Sequence, residues 1–444
     1  MHHSLIAHLA QLAQHQCLPG LNKPHLCFDD IAPIMHQLAH HPEVSSQLVG
    51  HSFNGTPIYR LSVGHGPLVV LGWTQMHGDE PTATAAVLDW LSLLVDQPEF
   101  SPAEAWQHQC TIHMIVMLNP DGARLQRREN AQGIDINRDA SVLQSPEGAL
   151  LMRQVEQLKP LVAFNLHDQN PYYAAGPAGA KPSTLAFLAP PFDAPETIDT
   201  RRKRAMQLIA AMYQGLRAVS EVGLARYIEG YSPRCFGDNI AAHCSTILIE
   251  SGACLNDPNR QQARSLNVVA LQLALTHLLH NTLDDFALTD YLAIPENKED
   301  GYCDIVLRHV CQQREQQRFF TDIAINHSAE APYALITAIG DLQPQQGFIE
   351  IDCDGLTLLP AKGVRVAPGT KLTEEIALNW LKAGYNHISQ CEDSLTQEAN
   401  KIGLKVQNSP QLYPFKGDTA ALILARNGKP EIAIIGARVW TLKD

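Results

Sequence analysis

Apolar positions along this chain keep switching between two rhythms. Residues 67–73 (PLVVLGW) form a continuous apolar run, which predicts a strand buried on both faces. After a polar loop and Pro81, placed as the first helical residue, TATAAVLDWLSLLV has helical spacing and no glycine. The sequence repeats that strand-and-helix order. CTIHMIVML ends at NPDG and is followed by a helix over residues 147–159; LVAFNL ends at His167 and is followed by a helix over residues 201–220. STILIE ends at Glu250, ahead of a long apolar helix over residues 259–281. Upstream, Asn54-Gly55 lies between two β-branched runs and predicts a hairpin. Residues 1–45 read as helical, with a Pro/Gly break over residues 19–24.

Such alternation predicts an α/β fold, a mixed and mostly parallel sheet flanked by helices, with polar residues gathered where strands end. The rhythm fades over residues 284–300. Beyond them come short strands (DIVLRHV, FFTDIAIN, ALITAIG, GFIEIDCDGLTLLP, ALILARN, EIAIIGARVW), and only residues 372–405 look helical. Three parts are expected: an N-terminal helical extension (1–45), an α/β catalytic domain (46–285) and a smaller β-rich domain (300–444).

Composition removes several classes of function. With 45% hydrophobic and 18% charged residues in 444, the chain reads as globular, and no run of about 18 apolar residues could span a bilayer. The opening MHHSLIAHLAQLAQHQ lacks the apolar core of a secretory signal. Ten cysteines without a CxxC pair argue against a zinc ribbon and for reduced thiols in a cytoplasmic protein. A formal charge of 33 minus 46, or −13, repels a phosphate backbone, so neither nucleic acid nor membrane is an expected partner.

Chemistry concentrates at the strand ends. In HGDEP, His77 and Glu80 stand three apart, a spacing that can turn an imidazole and a carboxylate toward one ion. The same spacing also suits a polar loop with a helix-start acid. His167 alone reads as a ligand or as a satisfied strand-end histidine. Glu250 closes an apolar strand, where a carboxylate needs a partner or a task.

Taken in order, SQLVGHSFNGTPIY, HGDEP, NPDG, RENAQGIDINRD, the Leu166-His167 pair and ILIE resemble the zinc carboxypeptidases of the carboxypeptidase A type, in a short, bacterial-like form. The resemblance spans residues 47–250 and implies the phosphorylase/hydrolase-like carboxypeptidase fold. It makes His77, Glu80 and His167 the zinc ligands and Glu250 the general base, with Arg128 stabilising the oxyanion. It further implies that Asn137 and Arg138 grip the substrate's free carboxylate, a task for which a planar guanidinium is suited. Asp135 and Asp139 read as turn and support residues, and Asp79 as a loop residue outside the ligand set. Of the two tyrosines in the region of the family's substrate-covering tyrosine, Tyr227 and Tyr231, the register of Gly237-Asp238 favours Tyr231. Arg234 either selects an acidic side chain or is a surface charge. His167 is followed by Asp-Gln rather than Ser-Tyr, so contacts of that segment do not transfer.

The C-terminal strands are similar to the β-sandwich that flanks the barrel of cyclic amidohydrolases, but no HxH follows them and no barrel fits. Two roles are open to that module: covering the active-site rim, or joining copies of the chain as a homo-oligomer. The expected function is zinc-dependent hydrolysis of an amide next to a free carboxylate, as in a carboxypeptidase. The alternatives are an N-acyl-amino-acid deacylase of the aspartoacylase or succinylglutamate desuccinylase type, and a non-catalytic binding protein on the same scaffold. An amidohydrolase-type deaminase rests on the C-terminal echo alone. The substrate is accordingly a peptide or an N-acyl amino acid with a free carboxylate.

Overall fold

In the computed structural model the chain divides into two compact units, Met1–Glu299 and Asp300–Asp444. The structure describes residues 3–177, 180–328, 333–367, 369–391, 393–407 and 412–443.

The first unit opens with α1 (His3–His15) and α2 (Phe28–Ala39), then an antiparallel hairpin of β1 (Val44–His51) and β2 (Pro57–Gly64). There follow β3 (Leu68–Thr74), α3 (Thr82–Asp96), β4 (Cys110–Val116), α4 (Pro120–Leu125), α5 (Pro146–Leu158) and β5 (Val162–Asp168). After the short β6 (Ala174–Ala175) come β7 (Ser183–Leu188), α6 (Thr200–Val219), β8 (Gly223–Arg226), α7 (Phe236–Ala241) and β9 (Ser245–Ser251). Helices α8 (Gln261–Leu279) and α9 (Leu288–Leu292) precede β10 (Asn297–Lys298), which pairs with β6. Pro81 occupies the cap position immediately before α3 rather than its first turn.

Eight strands form one mixed sheet in the order β1-β2-β4-β3-β5-β9-β7-β8. Its centre, β4-β3-β5-β9, is parallel, and β9 meets β7 antiparallel. Strand β3 shows why a continuous apolar run was needed. Val70 points into the cluster containing Ile31, Trp90, Ile209 and Leu271, whereas Leu71 and Trp73 point into the opposite cluster with Leu151, Phe236 and Ile240. Helices thus cover both faces, and α1 and α2 share the first of these cores through Ile6, Leu9 and Ile31. Arg264 on α8 makes a buried bidentate pair with Asp89 on α3 (2.7 and 2.8 Å), and both also bond the backbone of Leu18. A charge pair so enclosed is costly to break from one side, which fixes the stretch after α1 in place.

Strands β7 and β8 stand where the hydrophobic rhythm suggested no strand. The six residues of β7 are all buried, yet they follow a Pro/Gly-rich stretch and are too few for periodicity to reveal.

The second unit comprises β11 (Tyr302–Arg314), β12 (Gln317–His327), β13 (Ala334–Gly340), β14 (Gln346–Asp352), β15 (Thr357–Leu358) and β16 (Gly363–Arg365). It continues with α10 (Glu374–Lys382), β17 (His387–Gln390), α11 (Asp393–Ile402), β18 (Ala421–Arg426), β19 (Lys429–Ile435) and β20 (Arg438–Thr441). Its main sheet runs β13-β12-β11-β15-β18-β19-β20, with β14 added in parallel to β11. The helical expectation for residues 372–405 needs correction. A strand, β17, separates two helices there and pairs with β16, its Ile388 filling the core beside Ala377 and Leu381.

Among the described residues, no helix is long and apolar enough to cross a membrane. All ten cysteines are free thiols.

Candidate metal centre and active-site cleft

Three central parallel strands deliver the candidate residues at their carboxyl ends. Beyond Thr74, the last residue of β3, the backbone turns sharply at Gln75 (φ 50°). That residue is buried, and its amide holds the turn by donating to Leu26 O and Gly78 O while accepting from Thr84. Gly78 comes so close to Gly122 that an added Cβ would lie 2.0 Å from the latter's carbonyl carbon. Asn119 caps α4 by accepting from Gly122 N, and its Nδ2 donates to Met76 O and Arg128 O. The HGDE loop, the NPDG turn and the start of the RENAQG segment are therefore one hydrogen-bonded assembly.

His77 and Glu80 leave that assembly facing His167, at the end of β5. His77 Nδ1 lies 2.6 Å from Glu80 Oε1, His167 Nδ1 lies 2.8 Å from Glu80 Oε2, and the two Nδ1 atoms are 3.1 Å apart. All three side chains are buried. Asp135 approaches His77 Nε2 at 3.2 Å and accepts from Arg128 Nε at 2.9 Å, while Arg128 Nη1 is 3.1 Å from His77 Nδ1. On β9, Glu250 stands directly beside His167 in the parallel register.

Electrostatics follow from this crowding. Burial would push His77 down, but Glu80 and Asp135 outweigh it and lift it to about 9. Burial also works against the Glu80 carboxylate, and the two imidazoles overcome it and hold Glu80 well below the usual range. For His167 burial prevails and the shift is downward. Glu250 is raised well above an ordinary glutamate, first by burial and then by the charge of Glu80.

A divalent cation fits this arrangement. One nitrogen from each histidine and one oxygen of Glu80 lie within 4.8 Å of one another, the only such grouping of His, Cys, Asp and Glu among the described residues. Two imidazole nitrogens facing each other and a carboxylate make an acceptor-rich point that a cation resolves. The Asp135 carboxylate on His77 Nε2 leaves Nδ1 for the metal, a common outer support of histidine ligands. The nitrogen and oxygen donors suit zinc, and three protein ligands leave a coordination position open.

These groups line a cleft of about 430 Å³ together with Arg128, Asn137, Arg138, Glu229, Asp238 and Glu250. Of the residues singled out in the sequence, His77, Glu80, His167, Glu250, Arg128, Asn137 and Arg138 converge there. Tyr231 and Arg234 do not line it. Tyr227 does, its hydroxyl 3.3 Å from that of Tyr173. Asp139 accepts from the Gln144 and Ser145 backbone, a loop support away from the chemistry.

Sequence reasoning missed Asn165, Tyr173, Asp238 and Arg260, which also line the cleft. Asn165 carried a readable signal: two residues before His167 on one strand, it shares that histidine's face. Asp238, lifted to about 7 chiefly by burial, sits in the first turn of α7 and gave no such cue.

Residues 31–149 match the zinc carboxypeptidase family. That segment is similar to the zinc carboxypeptidases over the matched residues alone. It carries His77, Glu80, Arg128, Asn137 and Arg138, while His167 and Glu250 lie beyond the matched residues. Zinc is the metal that the family description names, in agreement with the donor set. The chain is also similar to carboxypeptidase SOL1 of Arabidopsis thaliana, at 25% identity over 224 residues, covering 42% of this chain and 44% of that protein. It thus spans less than half the length of this curated relative. Similar solved structures include a metallo-carboxypeptidase from Burkholderia cenocepacia (TM-score 0.48, 16% identity, 58% of this chain and 70% of that one). Another is the carboxypeptidase A of Helicoverpa armigera (TM-score 0.45, 15% identity, 61% and 80%).

Proposed function

We propose that the first unit is a metallocarboxypeptidase, hydrolysing an amide bond beside a free carboxylate. The observation that carries this reading is the meeting, in one cleft, of a three-residue metal-ligand set with an acid, Glu250, and two arginines, Arg128 and Arg138.

When bound, zinc supplies a Lewis acid that eases deprotonation of water and polarises a carbonyl. Glu250 takes the proton of the attacking water and later gives it to the leaving amine. Its raised affinity for a proton suits both halves of that task. Arg128, held by Asp135 at 2.9 Å, is fixed in place to meet the negative charge that develops on the carbonyl oxygen. Arg138 spends Nη1 on Asn137 O and Cys235 Sγ, which leaves the rest of its guanidinium for the substrate carboxylate. Asn137 Oδ1 accepts from Phe236 N, so its Nδ2 is the group left to donate to that carboxylate. The tyrosine that covers the substrate is assigned to this same reading, with Tyr231 as the register-based choice and Tyr227 as the residue already at the wall.

Metal analysis and a turnover screen test the proposal together. The purified protein should hold about one zinc-class ion that is lost in His77→Ala. It should release C-terminal residues from peptides with a free carboxylate and leave their C-terminal amides intact. Equal rates on acids and amides would end the carboxypeptidase reading. Faster turnover of N-acyl amino acids than of peptides would move the assignment to the deacylase alternative.

A further inference from the structure

A second chamber, of about 240 Å³, adjoins the cleft. Its wall is built from the stretch between α1 and α2 (Leu21, Lys23, His25), the start of α3, and residues 258–261. It shares Asp79, Asp168 and Arg260 with the cleft but none of Asn137, Arg138 and Asp238. A substrate whose carboxylate reaches Arg138 therefore has its leaving amine on that side of the metal ligands. The chamber, which holds none of the groups assigned to that carboxylate and is entered beside Asp79, is the space left for the substrate's acyl portion.

The charges lining this chamber do not cancel. Lys23 is paired with Asp30, Arg264 with Asp89, and Arg260 with Asp168 at 3.6 Å. Arg128, whose charge reaches Asp79 from within the cleft, is itself engaged by Asp135 and Glu80. Asp79 is exposed and, among the described residues, has no lysine or arginine within ion-pairing distance. With histidine counted as neutral, the chamber's unbalanced charge is this one carboxylate at its threshold. Asn259 Nδ2 donates to Asn22 Oδ1 at 2.9 Å, which ties the two loops of the far wall and keeps the chamber formed.

We propose that this chamber is the subsite for the acyl side of the scissile amide, and that Asp79 makes it select a residue bearing a positive charge. The inference rests on the hydrolase reading above. The recognised chemistry is an ammonium or guanidinium, which comes either from a Lys or Arg side chain at the penultimate position or from the free α-amino group of a dipeptide.

Two substrate pairs separate these sources: tripeptides with Lys or norleucine as the penultimate residue, and dipeptides with a free or acetylated amino group. For each pair kcat/KM is measured on the zinc-loaded protein, and Kd on Glu250→Gln, where binding is read without turnover. The charged member of at least one pair is expected to be favoured about three- to tenfold in both measurements, the range of a partly solvated ion pair. The ratio should fall to near one in Asp79→Asn, recover in Asp79→Glu, and turn toward a penultimate Glu in Asp79→Lys. Equal values for charged and neutral members in the wild type overturn the inference, as does a preference that survives Asp79→Asn. Charge-dependent binding without any hydrolysis would overturn the hydrolase reading while upholding the subsite.

Discussion

The two units differ in where their ionisable groups stand. In the first, acids and histidines sit at the carboxyl ends of parallel strands, buried and pressed together, as His77, Glu80, His167 and Glu250 are. In the second, the ion pairs are largely on the surface, as between Glu374 and Arg438 or Lys443 and Glu431. Parallel strands explain the contrast, because they all end on the same side and each hands its following loop to one crevice. The mainly antiparallel strands of the second unit end alternately at opposite edges and scatter their loops. One consequence is that burial energy in the first unit is partly given over to chemistry, whereas in the second it goes to packing.

Substitutions can break or sharpen this contrast. Glu250→Gln should lower hydrolysis by about two to four orders of magnitude, the usual span for a general base, while zinc content stays at the wild-type level. A smaller loss, or loss of metal with it, would take the base away from Glu250. Arg128→Ala is expected to cost about two to three orders of magnitude in kcat with KM changed far less, as befits a group that acts on developing charge. A rise in KM alone would make it a binding residue.

A milder effect tests burial without chemistry. His113 on β4 is buried beside Ser62 and Arg60, and burial, helped by the Arg60 charge, pushes it down to about 4. Its neutral form is favoured in the folded chain, so its contribution is fully present above the ordinary histidine value of 6.5 and is lost as pH falls toward 4. Urea titrations should show the wild type losing more stability over that window than His113→Gln; parallel curves would contradict it. Arg438→Ala, at an exposed pair of the second unit, should leave the denaturation midpoint without resolvable change.

Much of this was legible in the chain because the informative residues are short in range. HGDE, NPDG and RENAQGIDINRD hold their geometry through neighbours close in sequence, such as Asn119 with Gly122 and Asp135 with Asn137. That His167 and Glu250 each close an apolar strand was legible, but the pairing that sets them side by side joins strands some eighty residues apart and has no local signal. Strand β7 escaped because its pairing partners, β9 and β8, lie far along the chain and its own six residues carry no period. Tyrosine assignment failed to resolve for a similar reason: residues 227–235 form a loop whose path depends on contacts such as Asp238 with Ser232 N, which no local pattern encodes.

The close approach of Gly78 and Gly122 has a consequence for how this protein can change. A methyl group on Gly78 would drive into the Gly122–Ala123 backbone and prise the HGDE loop from the NPDG turn, whereas one on Gly122 would meet Asn119 Nδ2 and Glu129 O and push that turn from the segment that carries Arg128. In a saturation-mutagenesis map the two would appear as a pair of intolerant positions behind the residues that line the cleft.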